Sequence, residues 1–204
     1  MLIPFGETRA LLAKYKLPMV RTVCDESTRG LLQQASAMKP PFVLKATGPN
    51  IRHKTERGLV VVGIHTIHEL EHSLAEMRRK LDGENASFLV QETCRGAELI
   101  IGAKRDASFG ACVLFGTGGI YAELLDDVAV RTAPLSRRDC LEMIEETKAR
   151  KFVQGFRSMK ARRQDIVEIL LKTSKLMTGE KHVAELDFNP VIATPQGAAI
   201  VDAR

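Results

Sequence analysis

Residues 184–202 constrain the fold more than any other stretch of the chain. In Glu185-Leu186-Asp187-Phe188-Asn189 polar and apolar residues alternate. Successive side chains of a strand point to opposite faces, so Glu185, Asp187 and Asn189 share one face and Leu186 and Phe188 the other. Pro195-Gln196-Gly197 is a turn signal, and the apolar run Ala198 to Val201 behind it reads as a returning strand. Hairpin pairing of the two strands then brings Asp202 beside Asn189. Hard oxygen ligands of this kind suit Mg2+, which takes one or two protein oxygens and completes its shell with water and phosphate. A solvated polar strand face accounts for the same pattern equally well.

Upstream, the punctuation is that of a mixed α+β protein. The spacing predicts a helix over 8–15 with Thr8 as N-cap, an extended 19–23, and a helix capped by Ser27 or Thr28 and stopped by Pro40-Pro41. Strand 42–46, a polar connector 47–57, strand 58–64 and an amphipathic helix 67–81 follow. Strands are expected at 88–91, 98–103, 112–115 and 128–132, and helices at 138–151 and 163–177. The chain has no internal repeat and no linker-like tract. Two lobes are expected: 1–86, holding the small lobe, and 87–204, carrying the metal site.

Composition narrows the class. The 204 residues are 45% hydrophobic and 27% charged, ordinary for a globular protein with a real core. The net charge of +5 is spread along the chain, and eight phenylalanines and two tyrosines leave few aromatics to stack bases, so a nucleic-acid binder is not expected. Cys24, Cys94, Cys112 and Cys140 are far apart with no zinc-finger spacing, and read as reduced, buried thiols. No stretch of about 18 apolar residues suits a membrane span, and the charged, proline-bearing N-terminal segment does not suit a signal peptide. A cytoplasmic protein is expected.

Several further residues have the chemistry of a phosphate site. Lys45 ends the apolar strand Phe42-Val43-Leu44, where a cation can project toward a phosphate. Gly116-Thr117-Gly118-Gly119 offers backbone amides for phosphate oxygens, although no GKS or GKT follows and a plain turn explains it too. His53, between Arg52 and Lys54, is a candidate phosphoryl acceptor. The strand end Gln91-Glu92-Thr93 can offer backbone groups to an adenine edge, and Glu98 can accept from ribose hydroxyls. Arg131 suits a phosphate clamp or a structural ion pair. His65, His68, His72 and His182 read as surface residues.

In order and spacing these segments resemble the ATP-grasp domain of ADP-forming acyl-CoA synthetases and, more distantly, the β subunit of succinyl-CoA synthetase. The resemblance runs from Leu11-Leu12-Ala13-Lys14-Tyr15 through His53-Lys54-Thr55-Glu56, Gly96-Ala97-Glu98-Leu99-Ile100-Ile101-Gly102 and Phe115-Gly116-Thr117-Gly118-Gly119 to Glu185-Leu186-Asp187-Phe188-Asn189-Pro190 and Val201-Asp202. It implies an ATP-grasp fold, two α/β lobes with a nucleotide cleft between them. It further implies that Lys45 meets the phosphates, Gln91 to Thr93 line the adenine pocket, Glu98 holds the ribose, and Asn189 with Asp202 binds Mg2+; beside these, Gly118, Gly119 and Arg131 remain the candidates for phosphate and Glu185 for the metal from their own chemistry. His53 matches a histidine that passes phosphoryl between a second phosphohistidine and ADP. That second histidine and the CoA site belong to an α subunit or domain absent here, so a hetero-oligomer is implied. The implied reaction is acyl-CoA plus ADP plus phosphate giving acid, CoA and ATP.

The chain departs from the family pattern at two places. Leu59 stands where a second glycine is usual, and its side chain is expected to obstruct a phosphate. Ser158 to Arg163 replaces a glycine and a Pro-Pro pair. Leu59 favours the alternative of a non-catalytic regulatory domain of a protein acetyltransferase, whereas His53, Glu185, Asn189 and Asp202 favour the enzyme.

Overall fold

The computed structural model describes residues 3–48, 51, 54, 56–81, 83–118, 127–156 and 160–204. The chain divides into two compact units, Met1–Phe5 with Val20–Cys94, and Gly6–Met19 with Arg95–Arg204. It opens with α1 (Phe5–Lys14). Thr8, expected as its cap, instead lies inside the helix and is buried.

The first unit holds β1 (Thr22–Asp25), α2 (Thr28–Ala35), β2 (Phe42–Thr47), β3 (Val60–Ile64), α3 (Ile67–Lys80) and β4 (Ser87–Glu92). α2 starts after Ser27, one of its two expected caps, and α3 starts after Thr66, a cap not named from the sequence. The Ser27 hydroxyl accepts from the Gly30 N–H at 3.0 Å and the Thr66 hydroxyl from Glu69 at 3.1 Å, satisfying donors that have no partner within the helix. The strands form an antiparallel sheet in the order β1-β4-β2-β3. Leu31, Ala35, Leu70, Leu74 and Met77 of the helices pack on Phe42, Leu44, Ala46, Phe88 and Val90. Alternation therefore puts Lys45, Leu89, Gln91 and Thr22 on the helix-free face.

The second unit holds β5 (Ala97–Asp106), β6 (Gly110–Thr117), β7 (Val128–Thr132), α4 (Arg137–Glu146), α5 (Arg150–Gln154), α6 (Arg163–Gly179), β8 (Glu185–Ala193) and β9 (Ala198–Ile200). Its antiparallel sheet runs β7-β6-β5-β8-β9. Leu99, Ile101, Val113, Phe115 and Phe188 form a core with Met143, Ile166, Leu170 and Met177. The single helix expected over 138–151 is broken at Thr147, which is extended at φ −100 and ψ 160. The Asp127 carboxylate fixes the break by accepting from the Lys148 N–H at 2.8 and 2.9 Å.

A division at residue 86 does not match these contacts, because β4 lies in the middle of the first sheet, between β1 and β2. Residues 6–19 join the second unit instead. Met19 bridges Ile200, whose N–H donates to the Pro18 carbonyl at 2.8 Å. Of the cysteines only Cys140 is buried, which pushes its thiol up to about 11, while Cys24, Cys94 and Cys112 are partly exposed. Among the described residues no helix is long and apolar enough to cross a membrane.

Candidate functional site

The second unit presents its polar face through an irregularity in β8. Leu99 of β5 pairs with Val191 but Ile101 pairs with Phe188, so Asn189 and Pro190 together oppose the single residue Ile100. This is a β-bulge, and it reverses the parity of the strand. The core-facing residues are Leu186 and Phe188 before it and Val191 and Ala193 after it. Asn189 thus faces away from the helices, as alternation predicts, along with Asp187 and Glu185. On the other side of β8, Val191 faces Ile200 and Phe188 faces Ala203, and Asp187 and Arg204 exchange backbone hydrogen bonds at 2.8 and 2.9 Å. That register sets Asn189 opposite Asp202, the juxtaposition expected from the turn.

Glu185 is less well placed. It lies four residues from Asn189, about 13 Å along an extended strand, and faces Lys104 in the register. One ion cannot span that distance. Asp187 lies between them opposite the side-chain-free Gly102, nearer to Asn189 and on the same face by the same alternation, and is an acidic residue of this face not singled out from the sequence. Burial pushes the Asp187 carboxyl above its ordinary range; Arg204 opposes the shift, and the charges of Asp202 and Glu185 add to it. Among the described residues no group of three or more His, Cys, Asp or Glu is arranged to hold a metal ion. The register thus brings an amide and the Asp202 carboxylate opposite one another, with Asp187 two residues from Asn189 along β8.

A carboxyl whose folded pKa is raised binds more protons folded than unfolded, so it weakens the fold once pH exceeds its ordinary pKa and is neutral to stability below it. Asp187→Asn is therefore expected to raise the thermal midpoint of the metal-free protein at neutral pH and to leave it unchanged below about pH 3. Equal midpoints at neutral pH would show that the carboxylate carries no desolvation cost.

Glu98 shares the helix-free face of the second sheet. It is exposed, pairs with Ile192 and sits two positions along β5 from the residue opposite the bulge. Gly118 is buried and differs from expectation. Its N–H donates to the Glu98 carbonyl at 2.9 Å, and a Cβ there would lie 2.5 Å from the Leu99 backbone. Close packing on β5 explains this glycine, and its amide is not open to a phosphate. Of the two readings of Arg131, phosphate clamp or structural ion pair, the structure shows the ion pair. It shares strand parity with the buried Ala129, its guanidinium pairs with Glu146 of α4, and it therefore serves as an ion-pair partner on the helix side. His53 and Gly119 lie outside the described residues.

In the first unit Lys45 is 9% exposed on β2, with Val60 and Leu89 as its strand neighbours. Gln91 is buried on the same face and donates to the Thr22 hydroxyl at 3.0 Å. Glu92 is committed to the protein: its carboxylate accepts from the Lys39 N–H at 2.9 Å and from Arg21 at 3.4 Å, and its N–H donates to Arg21. The Thr93 N–H donates to Pro41 at 3.0 Å. Leu59 overturns the expected obstruction. Its side chain is 1% exposed in the core of this unit, its N–H donates to Lys54, and its carbonyl accepts from Ala46. The left-handed turn falls one residue earlier, on Gly58 at φ 64.

A family model described as an ATP-grasp domain matches residues 3–204. The chain is 32% identical over its full length to ADP-forming acetate–CoA ligase II of Archaeoglobus fulgidus, but spans 30% of that protein. It is 33% identical to the β subunit of ADP-forming acetate–CoA ligase II of Pyrococcus furiosus, over 97% of this chain and 88% of the subunit. Among solved structures, the dinucleotide-forming acetyl-coenzyme A synthetase 1 of Ca. Korarchaeum cryptofilum, bound to coenzyme A and Ca-AMPCP, matches at a TM-score of 0.90 and 35% identity. That match covers 97% of this chain and 90% of the other. The same synthetase with coenzyme A and Mg-AMPPCP, its phosphohistidine segment pointing towards the nucleotide binding site, matches at 0.86.

Proposed function

We propose, from the premise that this chain belongs to the ATP-grasp family alongside the β subunits of ADP-forming acetate–CoA ligases, that it is the nucleotide-binding portion of an ADP-forming acyl-CoA ligase. The observation that carries the reading is the register that sets Asn189 opposite Asp202 on a helix-free sheet face shared with Glu98. The overall reaction is acyl-CoA plus ADP plus phosphate giving acid, CoA and ATP. The CoA-binding chemistry belongs to a partner α subunit or domain, in keeping with the larger single-chain relative of which this chain spans 30%.

Each residue has a part that follows from its chemistry. His53 takes phosphoryl on a ring nitrogen and gives it to the terminal oxygen of ADP, breaking an N–P bond as an O–P bond forms. Lys45 supplies a fixed positive charge to the phosphates from a rigid strand. Glu98 accepts from the ribose hydroxyls, and the end of β4 meets the adenine. Asn189 and Asp202 fit Mg2+, a hard cation that takes few protein oxygens and fills its shell from phosphate and water. Bound there, the ion neutralises phosphate charge. Asp187 stands beside that pair as a further acceptor.

Incubation of the chain with γ-labelled ATP and Mg2+, with a CoA-binding portion present, is expected to leave an acid-labile phosphate on the chain. A preparation that binds ATP and never labels would overturn the phosphohistidine step. Leu59, the residue that favours a non-catalytic acetyltransferase module, has its side chain in the core.

A further inference from the structure

We infer that Arg204 is an internal counter-ion of the metal site: its charge stands against Asp202 and Asp187 while no nucleotide is bound, and so makes binding of the divalent ion depend on binding of the nucleotide. The inference rests on the nucleotide-binding reading above and deepens it. The returning strand meets β8 in one antiparallel register, Val191 opposite Ile200 and Phe188 opposite Ala203. The Asp187 N–H donates to the Arg204 carbonyl at 2.8 Å and the Arg204 N–H to the Asp187 carbonyl at 2.9 Å, the double exchange of a directly opposed pair. Side chains of such a pair stand on the same face of the sheet. Phe188 and Ala203 pack on the core. Their neighbours Asp187, Asn189, Asp202 and Arg204 therefore form a square on the helix-free face.

A cation thus stands among the very groups that would hold one. The Arg204 guanidinium lies 3.8 Å from the Asp202 carboxylate. Burial pushes the Asp187 carboxyl up, and Arg204 is the charge that opposes the rise. On the other side of Asp187 stands Gly102, which brings no side chain, and Lys104 lies further along, opposite Glu185. A pair as long as that of Arg204 with Asp202, with the arginine 54% exposed, does little for the fold. Its consequence is for a ligand. A divalent ion arriving alone has to draw Asp202 away from Arg204 and then sit beside a positive charge that repels it. The phosphates of a nucleotide bring negative charge that cancels the repulsion, so ion and nucleotide each bind better in the presence of the other.

The test follows Mn2+, which takes the same oxygen ligands as Mg2+ and is read through its effect on water-proton relaxation, in the wild type, Arg204→Met, Arg204→Lys and Lys104→Met. Without nucleotide, Arg204→Met is expected to bind Mn2+ about tenfold more tightly than the wild type, because a repelling charge near a divalent ion has been removed. Arg204→Lys keeps the charge and Lys104→Met leaves the square untouched, so both should bind as the wild type does. With a non-hydrolysable ATP analogue present, wild type and Arg204→Met should converge. The thermal midpoint supplies a second readout: Mg2+ alone should raise the midpoint of Arg204→Met and leave that of the wild type nearly unchanged. A merely structural role would weaken the fold without tightening the ion. Equal Mn2+ affinities in the nucleotide-free wild type and Arg204→Met, an Arg204→Lys that tightens as Arg204→Met does, or a Lys104→Met that tightens as much overturns the inference. A wild type that holds no Mn2+ even with the analogue present overturns the nucleotide and metal reading itself, and the inference with it.

Discussion

His53→Ala is expected to abolish the acid-labile phosphate that the chain acquires from γ-labelled ATP, lowering the labelling rate by about a thousandfold or more, as removal of an attacking group does in other enzymes. A neutral imidazole nitrogen is a good phosphoryl acceptor near pH 7, and the product N–P bond is labile to acid and stable to base, which separates it from phosphoserine. The histidines of the described residues offer no comparable setting. His72 sits 3.6 Å from Glu76 on an exposed helix and His182 lies 3.7 Å from Glu180 at the surface. His182→Ala should therefore label normally. ATP affinity in His53→Ala should change little, because the acceptor takes part in transfer rather than in holding the nucleotide. A label that survives the substitution and is released by hydroxylamine would point instead to an acyl phosphate on a carboxylate, the chemistry of a different ATP-grasp ligase.

The two ends of this reading were legible in the sequence to different degrees, for reasons visible in single residues. Leu186 and Phe188 alternate with polar neighbours, and only one arrangement of that strand buries both; the structure buries them at 4% and 0% exposure. The turn at 195–197 then fixed the partner register, because a hairpin loop of set length leaves no freedom to slip. The bulge was not legible. Val191 and Ile192 are both apolar and both buried, so nothing in their pattern marks the change of parity. Val128-Ala129-Val130-Arg131 misleads for a related reason. The valines look like the core residues, yet they are 43% and 48% exposed, while the small Ala129 faces the helices and carries Arg131 to that side with it. Leu59 could not be oriented from its neighbours either. Departure from a glycine pattern announces a side chain but not its direction, and here the direction is inward. The commitment of the Gly118 and Thr93 amides depends on strands brought together from distant parts of the chain, which local spacing does not encode.

Asp202→Ala is expected to remove most of the metal dependence of nucleotide binding, weakening the Mg2+-supported affinity for ATP by on the order of 100-fold. Asn189 is neutral, so Asp202 supplies the formal charge of the pair, and a hard divalent cation gains most from an anionic oxygen. The fold should tolerate the change. Asp202 is 29% exposed, and its ion pair with Arg204 at 3.8 Å is long and near the surface, where such pairs contribute little. Removing the charge also relieves Asp187, whose carboxyl Asp202 helps to push upward. The thermal midpoint of the metal-free variant should accordingly match or exceed that of the wild type at neutral pH. The measurement that separates metal loss from misfolding is a pair of ATP titrations, with Mg2+ and with excess chelator. In the wild type the two affinities differ widely, and in Asp202→Ala they converge on the chelator value. Glu185→Ala, about 13 Å along the strand from Asn189, should retain the wild-type difference. If Glu185→Ala collapsed the difference and Asp202→Ala preserved it, the ion would belong at the other end of β8 and the assignment drawn from the register would be wrong.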